Sequence, residues 1–213
     1  MITVLLDKAE FEYDIHSLVK AFYPKEEVYV STKDKEKKEE PVHYHMDVQF
    51  APEEIIFSWK RVEASEDNAN QTGITKCVAV DYTNRKETKN SLKRTLYRLL
   101  SEYTGVELPW GNLTGIRPTK IPMALLEEGK SEEEIARYMK ETYFTSDEKI
   151  KLSIEIAERE LELLHKLDYE EGYSLYIGIP FCPTTCLYCS FTSYSMSAWK
   201  NRMDDYLSCL LYT

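Results

Sequence analysis

Three cysteines stand close together toward the C-terminal end of the chain. In IPFCPTTCLYCSF they are Cys182, Cys186 and Cys189, spaced C-x3-C-x2-C. Thiolates are soft ligands, and three so near one another in a reducing compartment read as metal ligands rather than disulfides. A cubane iron–sulfur cluster is normally held by four cysteines. This loop offers three, which leaves one iron open to an exogenous ligand, as a catalytic cluster needs. Zinc is an alternative, because CLYC supplies half of a structural site, although no second paired motif accompanies it. A thioredoxin-like C-x-x-C leaves Cys182 unexplained. Burial of three small apolar side chains is the plainest reading. Cys77 and Cys209 stand apart and are expected inside a strand and on a helix.

The elements around the loop are those that would position it. Tyr173–Ile179 is an apolar run rich in aromatic and β-branched residues, which predicts a strand buried on both faces. After the loop, Trp199, Met203, Tyr206 and Leu210 recur at helical spacing and predict a helix over 198–211. Strand, loop and helix make one βα unit.

The segment LYIGIPFCPTTCLYCSF resembles the first strand and cluster loop of radical S-adenosylmethionine enzymes. Within them it is similar to the oxygen-independent coproporphyrinogen-III oxidases, or coproporphyrinogen dehydrogenases. The upstream WGNLTGIRPTK resembles the HemZ branch of that family. The resemblance implies that Cys182, Cys186 and Cys189 ligate a [4Fe-4S] cluster. It implies that Tyr188 packs beside the adenine of S-adenosyl-L-methionine and that Tyr176 also lies at that cofactor. Gly178 stands where the best-known branch has His, and Ser190 where many relatives have Asp. The implied activity is oxidative decarboxylation of coproporphyrinogen III propionates to vinyls in haem biosynthesis. The implied partners are a tetrapyrrole substrate and an electron donor such as flavodoxin or ferredoxin. A haem-inserting relative and a zinc-stabilised binding module are the alternatives.

The rest of the chain divides into recognisable stretches. ITVLL reads as a strand, with Asp7 and Glu10 as a capping pair before a helix through Phe11, Ile15, Leu18 and Phe22. Glu27–Val30 is a short strand, and the charged run 33–40 is expected as a solvated hairpin tip. Val42, Tyr44, Met46, Val48 and Phe50 alternate with His43, His45, Asp47 and Gln49, so one sheet face should be wet. The His-x-His-x-Asp face is read as solvated rather than metal-binding. Strands over about 55–63 and Cys77–Tyr82 flank a polar turn at 65–73. Leu92, Leu96, Leu99 and Tyr103 then mark a helix closed by Gly105. The basic residues between Arg85 and Arg98 are read as its solvated face.

Residues 106–120 carry two prolines and two glycines, and a domain boundary is placed there. Only helices follow, with capping boxes expected at Ser131/Glu134 and Thr145/Glu148. The last has Ile150, Ile154, Ala157, Leu161 and Leu164 on one stripe. The expected organisation is an α+β domain over 1–105, a junction and helical connector over 106–171, and the start of a radical S-adenosylmethionine (β/α) barrel over 172–213. Such barrels take ~250 residues, so the barrel is expected to be truncated and the chain inactive alone.

Charge and hydropathy exclude other classes. The 213 residues carry 27 basic and 37 acidic side chains, a net charge of −10. An acidic chain is a poor general partner for nucleic acid. No apolar stretch reaches the ~20 residues a membrane helix needs, and the N-terminus lacks a signal-peptide pattern, so a cytoplasmic location is expected.

Overall fold

The computed structural model describes residues 1–32, 42–62, 73–168 and 171–212. The chain forms two compact units, Met1–Lys166 and Leu167–Thr213.

The first unit is α+β. Its sheet contains β1 (Ile2–Leu6), β2 (Val28–Thr32), β3 (Tyr44–Phe50), β4 (Glu54–Arg61) and β5 (Gly73–Ala79) in the order β2-β1-β3-β4-β5. β1 pairs in parallel with both β2 and β3, while β3, β4 and β5 form an antiparallel meander. β1 is thus an interior strand, short and fully buried at Ile2, Val4 and Leu6. The charged run 33–40 lies outside the described residues. β2 and β3 flank β1 on opposite sides and run in the same direction, so they are not the two arms of a hairpin.

The two-residue alternation of β3 holds: Met46, Val48 and Phe50 enter the core and Gln49 is exposed. His45 and Asp47 lie on the other face and pair with each other at 3.1 Å. Cys77 shares that wet register and is exposed, contrary to the core position expected for it. The pleat of β5 turns Ile74 and Val78 inward instead.

Helices α1 (Glu12–Phe22) and α2 (Arg85–Thr104) cover the apolar face. α1 starts where its apolar spacing predicts, but Asp7 does not cap it. The Asp7 carboxylate accepts the Phe50 backbone N–H at 3.0 Å, tying β1 to the end of β3. α2 is capped by Asn84, which accepts from Glu87 N at 3.1 Å. It ends at Gly105, whose φ of 70° is the left-handed conformation that a helix stop of this kind requires.

The basic side of α2 is exposed at Arg85, Lys86, Lys89 and Arg98, as read from the sequence, but not at Lys93. Lys93 is buried, and its Nζ donates to Thr114 Oγ1 at 2.9 Å. Thr114 Oγ1 is in turn hydrogen-bonded with Ser17 Oγ at 3.0 Å, so the junction residue stitches α1 to α2. Asp14 stands 3.6 Å from Lys89 and 3.9 Å from Lys93. Desolvation holds the Lys93 ammonium below the usual lysine range, opposed by Asp14.

The junction packs against a helical layer of α3 (Lys120–Glu127), α4 (Glu132–Tyr143) and α5 (Asp147–Leu164). This layer has its own apolar cluster, Ile135, Met139, Ile150 and Ile154, distinct from the core under the sheet. α4 carries the capping box read from the sequence: Ser131 Oγ accepts from Glu134 N, and Glu134 Oε2 accepts from Ser131 N. α5 is capped one residue later than expected. Ser146 Oγ, not Thr145, accepts from Lys149 N at 3.4 Å. Thr145 is turned inward and buried.

Candidate metal centre

The second unit holds the cysteine motif. Its elements are β6 (Phe181–Cys182), β7 (Tyr194–Ser195), the short helix α6 (Met196–Trp199) and, after one tight 3-10 turn at Lys200–Arg202, α7 (Met203–Tyr212). The helix expected over 198–211 is therefore interrupted.

β6 and β7 pair in parallel over two residues, Phe181 with Tyr194 and Cys182 with Ser195. Tyr194 N donates to Pro180 O at 2.7 Å. This small ladder closes the base of the loop 183–193. Thr185 and Ser193 are hydrogen-bonded across it at 3.2 Å. At the tip, Cys189 N donates to Cys186 O at 3.0 Å, a single turn that spans the last two cysteines.

Helix α7 holds the approach to the loop. Tyr206 Oη donates to Gly178 O at 2.5 Å. The same ring meets Phe181 edge-on, with centroids 5.3 Å apart and planes at 87°. Trp199 leans on Tyr194 at 5.3 Å, and the Arg202 guanidinium lies 5.8 Å from the Trp199 ring. Trp199 and Tyr206, two members of the stripe that predicts this helix, thus contact both ends of the cysteine loop. Helical spacing identifies Tyr206 as inward-facing; only the fold shows what it holds.

Residues 173–179 do not form the buried strand expected of them. They are unpaired, and Tyr173, Leu175, Ile177 and Ile179 are exposed. A strand buried on both faces needs a neighbour on each side, and none pairs with 173–179 among the described residues.

Cys182 lies on β6 and is partly buried, Cys189 is partly buried and Cys186 is exposed; none is in a disulfide. The three do not converge. Among the described residues no three His, Cys, Asp or Glu side chains are gathered to hold one ion. Tyr176 and Tyr188, expected at the cofactor, are 91% and 90% exposed. Gly178 has open space where a Cβ would point, so the position would admit a side chain.

The donor set nevertheless fits a soft metal centre. Three thiols fall on one loop whose ends are fixed by the β6–β7 pair and by Tyr206. Between them, Leu187 and Tyr188 are exposed and leave the segment little packing to lose on closing around a centre. The chemistry of the donors suits iron–sulfur or zinc and is poorly matched to a hard cation.

Comparison with known proteins narrows this. The chain is 39% identical over 142 residues, 65% of its own length, to the oxygen-independent coproporphyrinogen-III oxidase-like protein HemZ of Bacillus subtilis (strain 168). Over that region the chain is similar to HemZ. The matched region is 28% of the HemZ relative's length, so the chain spans well under half of it. No known family profile matches the chain. No helix among the described residues is long and apolar enough to cross a membrane.

Proposed function

We propose that the chain supplies the front part of a radical S-adenosylmethionine oxidoreductase acting on a tetrapyrrole. The similarity to the HemZ protein carries this reading, together with the C-x3-C-x2-C loop. In this role Cys182, Cys186 and Cys189 would hold a [4Fe-4S] cluster with one open iron. The cluster with bound S-adenosyl-L-methionine supplies one-electron reductive cleavage of the sulfonium.

The chain's own residues would do three things. The three thiolates would bind the centre. Tyr206 and the β6–β7 pair would hold the loop entrance in place through the Gly178 carbonyl and the Phe181 ring. Tyr176 and Tyr188, both exposed, would cover the nucleoside and keep water away from it. The substrate proposed is a porphyrinogen whose propionates become vinyls, with reducing equivalents from a flavodoxin or ferredoxin. Gly178, in place of the His of better-known relatives, would leave the substrate contact at this position to another group.

Anaerobic reconstitution of the chain with iron and sulfide tests the reading. The expected result is broad visible absorption that is lost in each of Cys182→Ala, Cys186→Ala and Cys189→Ala. A colourless protein that retains zinc in a 1:1 ratio would replace this reading with the zinc-stabilised module.

A further inference from the structure

The first unit contains a cleft of about 940 Å³ that the cysteine chemistry does not use. It runs between the C-terminal half of α2, the junction at Glu107–Pro109 and the start of α5. Its volume is in the range of small-molecule sites.

Three features of its wall are not accounted for by folding alone. Phe144, the residue that ends α4, has φ 58°, a left-handed conformation costly for a bulky side chain. It is held there by its ring, which stacks on Tyr97 with centroids 5.2 Å apart and planes at 24°. The Arg98 guanidinium covers the same ring at 5.0 Å, and among the described residues no carboxylate lies within ion-pairing distance of it. The next residue, Thr145, is only 2% exposed, and its Oγ1 has no hydrogen-bond partner. A buried hydroxyl without a partner costs free energy that a bound acceptor would recover.

Tyr97 adds a third donor. Its oxygen accepts the Leu108 N–H at 3.1 Å, which leaves its own O–H to give. Burial raises the Tyr97 phenol above the ordinary tyrosine range, so it stays protonated. Two consecutive pairs, Tyr97–Arg98 and Phe144–Thr145, thus meet through the ring stack and supply donors but no acceptor. The cleft margin is otherwise acidic. Lys76 is paired with Glu102, Lys140 with Asp147 and Glu148 with Lys149, while Glu107 adds further negative charge. A margin of that sign repels a multiply charged anion such as phosphate.

We propose that this cleft binds a ligand bearing a single carboxylate on a flat apolar body. The carboxylate would take the fork of Arg98 and the hydroxyls of Tyr97 and Thr145, and the body would lie along Leu108, Pro109 and Phe144. Stacked guanidinium with its edge free is the geometry that receives a carboxylate in two parallel bonds.

Titration calorimetry of the full chain tests it, with benzoate, benzyl alcohol and inorganic phosphate as probes. Benzoate binds saturably, and benzyl alcohol binds at least about tenfold more weakly, the loss expected for a charge-assisted pair. Arg98→Gln gives a similar loss for benzoate. Arg98→Lys keeps the charge but not the fork and falls between. Thr145→Val weakens benzoate several-fold while leaving the unliganded protein at least as stable, because it removes a buried orphan hydroxyl. The proposal is overturned if benzoate fails to saturate, if the alcohol or phosphate binds as well, or if Arg98→Gln binds benzoate unchanged. These readouts are independent of any cluster.

Discussion

Asn112 is bound to the end of helix α4 through both its backbone N–H and its side-chain amide NH2. Its backbone N–H donates to Tyr143 O at 2.9 Å, and its Nδ2 donates to Thr142 O at 3.3 Å. These carbonyls are among those that the end of a helix leaves without an internal partner. The junction thereby caps the connector layer, and Asn112 is almost fully buried in doing so.

The adjoining Gly111 makes that approach possible. Its φ is 57°, and a Cβ there would overlap the Tyr143 carbonyl. Gly111→Ala should destabilise the first unit by about 2–4 kcal/mol, combining backbone strain with a clash that rigid helix backbone cannot relieve. Gly105→Ala is the control. Its φ is 70° but nothing lies within 4 Å of a Cβ, so strain alone applies, about 1 kcal/mol. Urea denaturation of the two variants measures the difference; equal losses would contradict the close approach.

Burial separates the apolar residues of the two units. Leu96 is fully buried between α2 and the sheet, and Leu96→Ala should cost ~2–5 kcal/mol by loss of transfer energy and a residual cavity. Leu187 lies at the exposed tip of the cysteine loop, and Leu187→Ala should change stability by less than ~0.5 kcal/mol. Thermal melts of both variants check this.

The Tyr206 hydroxyl should govern local order at the loop entrance rather than global stability. Tyr206→Phe keeps the ring contact with Phe181 and removes the bond to Gly178 O. The expected loss is ~1 kcal/mol, seen as faster amide exchange over 178–182. Unchanged exchange there would mean that the ring contact alone fixes the entrance.

Acid should destabilise the first unit partly through Glu87. Its carboxyl lies below the usual 4.5, chiefly because Arg94 Nη2 donates to Oε1 at 2.6 Å. A carboxyl whose folded pKa is lowered contributes stability above its unfolded pKa, and that contribution is lost as pH falls through the folded value. Stability should therefore decline below about pH 4.5, and Glu87→Gln should remove part of the slope. The pair is largely exposed, so added salt should also reduce it. Denaturation midpoints at several pH values for both proteins provide the comparison.

What the sequence determined by itself is the local structure of the first unit and the donor chemistry of the second. The two-residue alternation over 42–50 defines the wet and buried faces of β3. The spacing of Leu92, Leu96 and Leu99 places α2, and Gly105 ends it. Ser131 with Glu134 marks a capping box that forms as read. C-x3-C-x2-C names soft-metal chemistry without any coordinates. These signals act within a few residues, where pleat, helical pitch and hydrogen-bond reach decide the outcome.

What only the tertiary structure decided depends on partners distant in sequence. Asp7 looks like a helix cap, but Phe50 N lies nearer in the fold and takes its carboxylate. Lys93 looks like one more surface cation, yet Thr114 and Asp14 make room for it inside. The run 173–179 has the composition of a buried strand and stays unpaired, because a strand is completed by its neighbours and not by its own residues. Phe144 and Thr145 read as the end of one helix and the cap of the next. Packing of α2 against α4 turns one into a strained ring under Arg98 and the other into a buried hydroxyl without a partner.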